Sequence, residues 1–200
     1  MRLEASLGRA DTQHVLLLAA ILALTAPIPL LGGRLGALLE VRFRAPLLLW
    51  SALAVQIAMF APGGPAWPAL HIASYALAAG FVWCNRRLPF VWLLALGGAV
   101  NLLAIVANGG VMPASPGAVA AAGLTGAEPA NSMVLEAPRL ALLGDVFALP
   151  APVPLHNVFS VGDVILVVGA ALAIHSVAGS RMPTVRGRPR RPPWPRATED

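Results

Sequence analysis

The chain contains no lysine, one cysteine and one tyrosine, and only 12% of its 200 residues are charged. Each shortage excludes something. A single cysteine, Cys84, cannot build an intrachain disulfide framework or a cysteine-based zinc cluster. Soluble domains are roughly a quarter charged, so a chain that is 12% charged and 58% apolar cannot cover itself with a water-compatible surface. Most of its solvent is expected to be lipid. Also missing are a G-x-S-x-G elbow, a Walker loop and an H-E-x-x-H pair, and the four histidines are scattered. Neither a metal nor another cofactor is expected.

The charge that is present is positive, +5 in total, and all fourteen basic residues are arginine. Nucleic acid is not the implied partner, because the arginines are neither spread over one face nor interleaved with aromatics. An Ala, Gly, Pro and Arg-rich coding bias accounts for the absence of lysine.

A hydrocarbon core about 30 Å thick needs roughly 17 to 25 mainly apolar helical residues. Five stretches qualify: Val15 to Leu31, Ala45 to Ala61, Trp67 to Cys84, Leu88 to Ala107 and Val158 to Ala178. The expected fold class is therefore all-α, a polytopic transmembrane bundle of about five spans. Pro27 and Pro29 would kink the first stretch. A cleaved signal peptide is the other reading of that stretch, but no small-x-small site precedes Pro27, so it is expected to be retained.

Arginine placement orients the bundle. Arg34, Arg42 and Arg44 lie between spans one and two, Arg86 and Arg87 between three and four, and Arg181, Arg186, Arg188, Arg190, Arg191 and Arg196 after span five. The remaining connections hold Arg2, Arg9 and Arg139. Since cytoplasmic loops collect arginine, residues 1–14 are expected outside and the Arg and Pro-rich residues 179–200 inside, the latter disordered. Residues 108–157 become a long external loop with seven prolines. Within it Ser132 to Leu149 is apolar enough to lie on the membrane or to cap the bundle, and Pro138 breaks any single long helix there.

On this topology Gln56, His71, Ser74, Asn101 and Asp163 fall at one depth, in the outer half of their spans. Polar groups in hydrocarbon are costly and converge on a site or on each other. Both readings stay open. Asp163 is the sole carboxylate within a span, and Ser160-Val-Gly-Asp163 is also the capping-box pattern of a helix start. Asn108, Gly109 and Gly110 close span four, where glycines that tolerate positive φ can turn N–H groups outward or simply stop the helix. Leu143-Gly144-Asp145 adds a carboxylate in the external loop.

Ala107-Asn108-Gly109-Gly110-Val111-Met112-Pro113, Leu143-Gly144-Asp145, Phe159-Ser160-Val161-Gly162-Asp163 and, after span one, Gly32-Gly33-Arg34-Leu35-Gly36 together resemble a small bacterial polytopic membrane family that is a domain of unknown function. Spans four and five are also similar to the last two spans of the lipoprotein signal peptidases, aspartic enzymes working near the outer leaflet. Gly97-Gly98-Ala99-Val100-Asn101 matches their G-G-x-x-G-N motif in part, and Phe159 to Asp163 their F-N-x-A-D motif. Only the second catalytic aspartate has a counterpart, Asp163; the first falls at Ala104 and the arginine after it at Ile105. An aspartic pair needs two carboxylates sharing a proton, so this resemblance implies hydrolysis only with Asp145 as partner.

Three functions are thus in view. The first is binding of a membrane lipid or another membrane protein in an outward-facing polar pocket formed by Gln56, His71, Asn101, Asn108, Gly109, Gly110, Asp145 and Asp163. The second is intramembrane aspartic hydrolysis by Asp163 with Asp145. The third is proton-coupled transport through Asp163, for which the paired broken helices of transporters are lacking. The topology has its own test: Cys84 should lie at the cytoplasmic end of span three. A membrane-impermeant thiol reagent applied to intact cells is expected to leave it unmodified, and rapid labelling would reverse the orientation.

Overall fold

The computed structural model describes residues 22–58, 66–124, 132–153 and 156–181. The expectations for the amino-terminal segment, for residues 15–21 of span one and for the tail beyond Arg181 fall outside these residues.

Helical residues 22–25 are followed, after a turn at Ala26, by α1 (Pro27–Leu30). Pro27 and Pro29 lie within this one turn of helix, which ends at Leu31 before Gly32 takes φ +72°. A second single turn, α2 (Gly36–Leu39), leads to the long helices α3 (Pro46–Ala58), α4 (Trp67–Cys84) and α5 (Val91–Ala107). The third predicted span coincides with α4. The fourth begins three residues later than expected, because Pro89 and the left-handed Phe90 (φ 56°) end the preceding turn before helical geometry can start.

The all-α expectation needs correction. The described residues are mostly helical but include four short strands, all beyond α5. β1 (Met112–Pro113) pairs in parallel with β2 (Ser132–Met133), and α6 (Pro116–Ala121) lies between them in sequence. β3 (Asp145–Leu149), entered through a 3-10 turn at Ala141–Leu143, pairs antiparallel with β4 (Asn157–Ser160). Phe147 stacks on Phe159 across that pair, with ring centroids 5.4 Å apart. β4 runs directly into α7 (Val161–Ala178), so Val158 to Ser160, expected as the start of span five, are strand. The alternation of β4, with Val158 and Ser160 buried and Asn157 exposed, is a strand period that the uniformly apolar stretch conceals.

The helices pack through small residues. α5 and α7 are antiparallel: Gly97 faces the Gly162 carbonyl and Leu166, while Gly169 faces Leu93. At this register the first turn of α7 lies opposite Asn101, six residues before α5 ends, or about 9 Å short of its end. The space above the recessed α7 is occupied by the strands and α6, which form two small cores. One joins Ala104, Ile105 and Met112 with Ile72, Tyr75 and Leu143; the other joins Ala118, Ala122 and Val158 with Val119, Leu124 and Ala148. Residues 132–149 therefore cap the helices.

At the other end the arginine-bearing connections are tied together. The Arg34 N–H donates to the Ala178 carbonyl (2.8 Å) and the Arg181 N–H to that of Leu31 (2.9 Å). Arg44 is joined to Asn85 by two bonds, its N–H donating to Oδ1 (2.9 Å) and its carbonyl accepting from Nδ2 (2.8 Å).

Small and polar residues share the interior with apolar ones, and many large apolar side chains face outward. Ser74, Asn101, Gly97, Gly162 and Ala104 are inside, while Leu47, Trp50, Trp92 and Leu103 face outward, Leu47 at 76% exposure. Among the described residues one helix, α7, is long and apolar enough to cross a membrane; α3 and α5 are shorter apolar helices.

A methyl on Gly97 would lie 2.7 Å from the Gly162 carbonyl oxygen and 2.9 Å from the Leu166 nitrogen, both backbone atoms that cannot step aside. The Gly97→Ala variant is expected to lose about 1–3 kcal/mol. Gly98 meets open space, so Gly98→Ala should be neutral or gain up to about 1 kcal/mol from helix propensity. Thermal unfolding of the two variants in detergent checks the pair; equal effects would contradict the register.

Candidate functional site

The recessed start of α7 creates a physical problem: its first N–H groups point into packed protein and need partners. Ser160 and Asp163 supply them as a capping box. The Asp163 N–H donates to Ser160 Oγ (3.0 Å) and the Ser160 N–H to Asp163 Oδ2 (2.9 Å). The capping reading of Asp163 is thus borne out in the geometry, and the carboxylate also lies at the positive end of the helix dipole.

Asp163 also looks across to α5. Asn101 Nδ2 donates to Asp163 Oδ1 (2.8 Å), and Ser160 Oγ lies 2.8 Å from Asn101 Oδ1 and 2.9 Å from Asp163 Oδ2. One hydroxyl proton serves both acceptors, so it is shared between them. Ser160 and Asn101 are buried. Gly162 must be glycine, since a Cβ there would enter the Asn101 side chain.

The segment between α5 and α7 brings the second carboxylate. Asp145 is the cross-strand partner of Ser160, and it is bridged on its other side to Ala114, with the Ser115 N–H donating to its carbonyl (3.0 Å). The ladder is irregular between Asp145 and Phe147, as a bulge that re-aims a side chain would be. Asp145 is buried, hydrogen-bonded to Ser132 and within electrostatic reach of Asp163. Burial pushes its carboxyl up from 3.8 to about 6; the Ser132 bond opposes this and the Asp163 charge adds to it.

Tyr75 completes the group. Its hydroxyl is hydrogen-bonded to Asn101, and both carboxylates act on it electrostatically. Sequence reasoning missed Tyr75 and Ser132. Tyr75 had a signal, since it lies four residues after His71 and so on the same helical face; their rings are 5.7 Å apart. Ser132 had none, because only the folding of the loop brings it to Asp145.

The other expected site residues form a second string. Gln56 Nε2 donates to Ser74 Oγ (2.8 Å), Ser74 Oγ donates to the His71 carbonyl (2.7 Å), and His71 Nδ1 donates to the Gly110 carbonyl (2.9 Å). Asn108 holds the loop: its Nδ2 donates to the Ala104 and Arg139 carbonyls (2.7 and 2.8 Å), and its Oδ1 accepts from the Arg139 N–H (2.8 Å). Gly109 and Gly110 adopt φ +69° and +96°, and Gly110 packs on Pro68 too closely for a side chain. Of the eight residues singled out, Asn101, Asp145 and Asp163 meet in one cluster. Gln56, His71 and Gly110 adjoin it through Tyr75, whereas Asn108 and Gly109 close α5.

Among the described residues no three His, Cys, Asp or Glu side chains group as metal ligands. Chemically, the cluster offers two neighbouring carboxylates in unlike surroundings, with a phenol, an amide and two hydroxyls as hydrogen-bond partners.

A family model with the description "Family of unknown function (DUF5317)" matches residues 40–175, from just before α3 into the last turn of α7, and the chain belongs to that family. No curated protein and no solved structure matches it.

The raised Asp145 pKa has a defined linkage. Between about pH 4 and 6 the folded chain keeps a proton that the unfolded chain has released, so its stabilising effect is present at the acid end and is lost as the pH rises through about 6. Unfolding stability should fall by roughly 2–3 kcal/mol across that window. Asp145→Asn should remove this component and exceed the wild-type chain in stability above pH 6. Unfolding midpoints of both proteins over pH 4 to 8 test this; parallel curves would show that Asp145 titrates normally.

Proposed function

We propose that the chain is a five-span membrane protein, amino terminus outside, which binds a hydrogen-bond-donating polar group of a membrane lipid or of a neighbouring membrane protein at the Asp145–Asp163 cluster. The observation that carries the reading is the meeting of two carboxylates, the buried Asp145 from the capping loop and the half-buried Asp163 from the first turn of α7, within a bundle whose outward face is apolar. Large apolar side chains outside and small or polar ones inside are the pattern expected where lipid surrounds the helices. Paired carboxylates in such surroundings attract ammonium and hydroxyl groups, the donors of lipid headgroups.

One observation favours a second reading, intramembrane aspartic hydrolysis. Similarity to the signal peptidases leaves one carboxylate missing in the helices, and pairing of β3 with β4 brings Asp145 beside Asp163. Asp145 has its pKa raised to about 6, and Asp163 accepts from Asn101 and the Ser160 backbone. Unlike environments for two adjacent carboxyls are what separates a general acid from a general base.

The purified full-length chain in detergent distinguishes these readings by native mass spectrometry. The binding reading expects phosphatidylethanolamine, whose ammonium donates hydrogen bonds, to be retained over phosphatidylcholine, whose ammonium cannot. Asp145→Asn should abolish that preference while the chain stays folded. Equal retention of both lipids by the wild-type chain counts against binding at the cluster. Cleavage of a quenched transmembrane peptide, lost in both Asp145→Asn and Asp163→Asn, would select hydrolysis.

A further inference from the structure

We propose that Arg42, Arg44, Arg86 and Arg87 form a second site, at the end of the bundle opposite the carboxylates, for the phosphate diester of an anionic phospholipid headgroup. The site rests on the multi-pass reading above but not on any role of Asp145 or Asp163.

The two arginine pairs are about forty residues apart in sequence and are joined by one side chain. Asn85, 5% exposed, caps α4 and holds the loop before α3. Its Nδ2 donates to the Arg44 and Phe81 carbonyls (both 2.8 Å), and its Oδ1 accepts from the Arg44 N–H (2.9 Å). Both bonds to Arg44 use its backbone, which leaves the guanidinium free to project. Ala45, next in sequence, takes a left-handed φ of 49°, a conformation costing a non-glycine residue about 1 kcal/mol or more. The clamp therefore holds Arg44 next to Arg86 and Arg87 against local backbone preference.

All four arginines are exposed, Arg42 and Arg44 on one side of the Asn85 clamp and Arg86 and Arg87 on the other, and like charges carried on neighbouring segments repel unless an anion neutralises them. Nearby Arg34 has such a partner in Glu40, 3.6 Å away. Among the described residues Arg42, Arg44, Arg86 and Arg87 have no carboxylate partner. Arg86 instead lies 4.8 Å over the ring of Trp83 and donates from Nη1 to the Trp83 carbonyl (3.2 Å). Trp83 itself is 68% exposed, and Phe43 rests against Phe81 with centroids 5.7 Å apart. An indole and a guanidinium side by side at the end of an apolar helix suit the interfacial layer, where tryptophan is enriched and phosphates lie. Guanidinium forks match phosphate oxygens two at a time. Tyr75, where α4 meets the carboxylate cluster, lies ten residues before Asn85, a helical rise of about 15 Å, so the two sites lie toward opposite ends of the helices.

Native mass spectrometry of the full-length chain in detergent, with phosphatidylglycerol or phosphatidylcholine added, provides the test. The wild-type chain should retain phosphatidylglycerol preferentially. Arg44→Gln with Arg86→Gln should weaken that retention about 25-fold, at about fivefold per arginine, with a cooperative unfolding transition retained, since the clamp uses the Asn85 side chain and backbone atoms. Arg34→Gln should behave like wild type. Undiminished phosphatidylglycerol retention in the double variant, or no preference over phosphatidylcholine in the wild type, overturns the site. Displacement by an equal concentration of inorganic phosphate would also overturn it, by assigning the patch to a free anion. Extraction of the chain from membranes by alkaline carbonate is the separate outcome that overturns the multi-pass reading itself.

Discussion

The buried amino terminus of α7 is the constraint on which the structure depends. Because Gly97 and Gly162 let α5 and α7 approach at backbone contact, the first turn of α7 lies alongside Asn101 and not level with the end of α5. Unpaired N–H groups at that depth would each cost about as much as a lost hydrogen bond, and more where no water reaches them. Ser160 and Asp163 satisfy them locally, Asn101 ties the cap to the neighbouring helix, and the recess left above is filled by β1 to β4 and α6. The cap and the carboxylate cluster are consequently one object. Asp163 cannot be assigned to stability or to chemistry alone, because the hydrogen bonds that end the helix also orient its oxygens.

From that cap the polar network runs outward in a connected order. Asp163 reaches Asn101, Asn101 reaches Tyr75, and Tyr75 packs on His71, whose imidazole holds the Gly110 carbonyl where α5 gives way to the loop. Asp145 joins from the loop side through its pairing with Ser160 and its bond to Ser132. Polar networks of this kind fix a unique arrangement when every member is satisfied. This one joins three helices and the cap at a level where apolar packing is thin, the buried core there being mainly alanine, glycine and serine. The opposite end is organised differently: backbone clamps at Arg34, Arg44 and Arg181 hold the connections and leave charge on the surface. The described residues thus carry one buried and one half-buried carboxylate toward one end of the helices and exposed guanidiniums toward the other.

The helices were legible because apolar length is a local property. Trp67 to Cys84 coincides with α4, and Val158 to Ala178 differs from α7 only by the three residues that became β4. The Ser160-x-x-Asp163 box was equally legible, since its bonds join residues three apart. The strands were not. β1 and β2 have two residues each, and β3 lies in an apolar stretch whose partner was read as helix, so no alternation of useful length existed to detect.

By itself, then, the amino-acid sequence determined where the long helices lie, where arginine collects and which helix start is capped, because each depends on neighbours within a few residues. Tertiary structure alone decided that Asp145 meets Asp163, that Tyr75 and Ser132 join them, and that Asn85 unites two distant arginine pairs. Those contacts join residues separated by 13 to 62 positions, and the carboxylate cluster among them depends on how deeply α7 is set against α5, a distance fixed by glycine packing between helices.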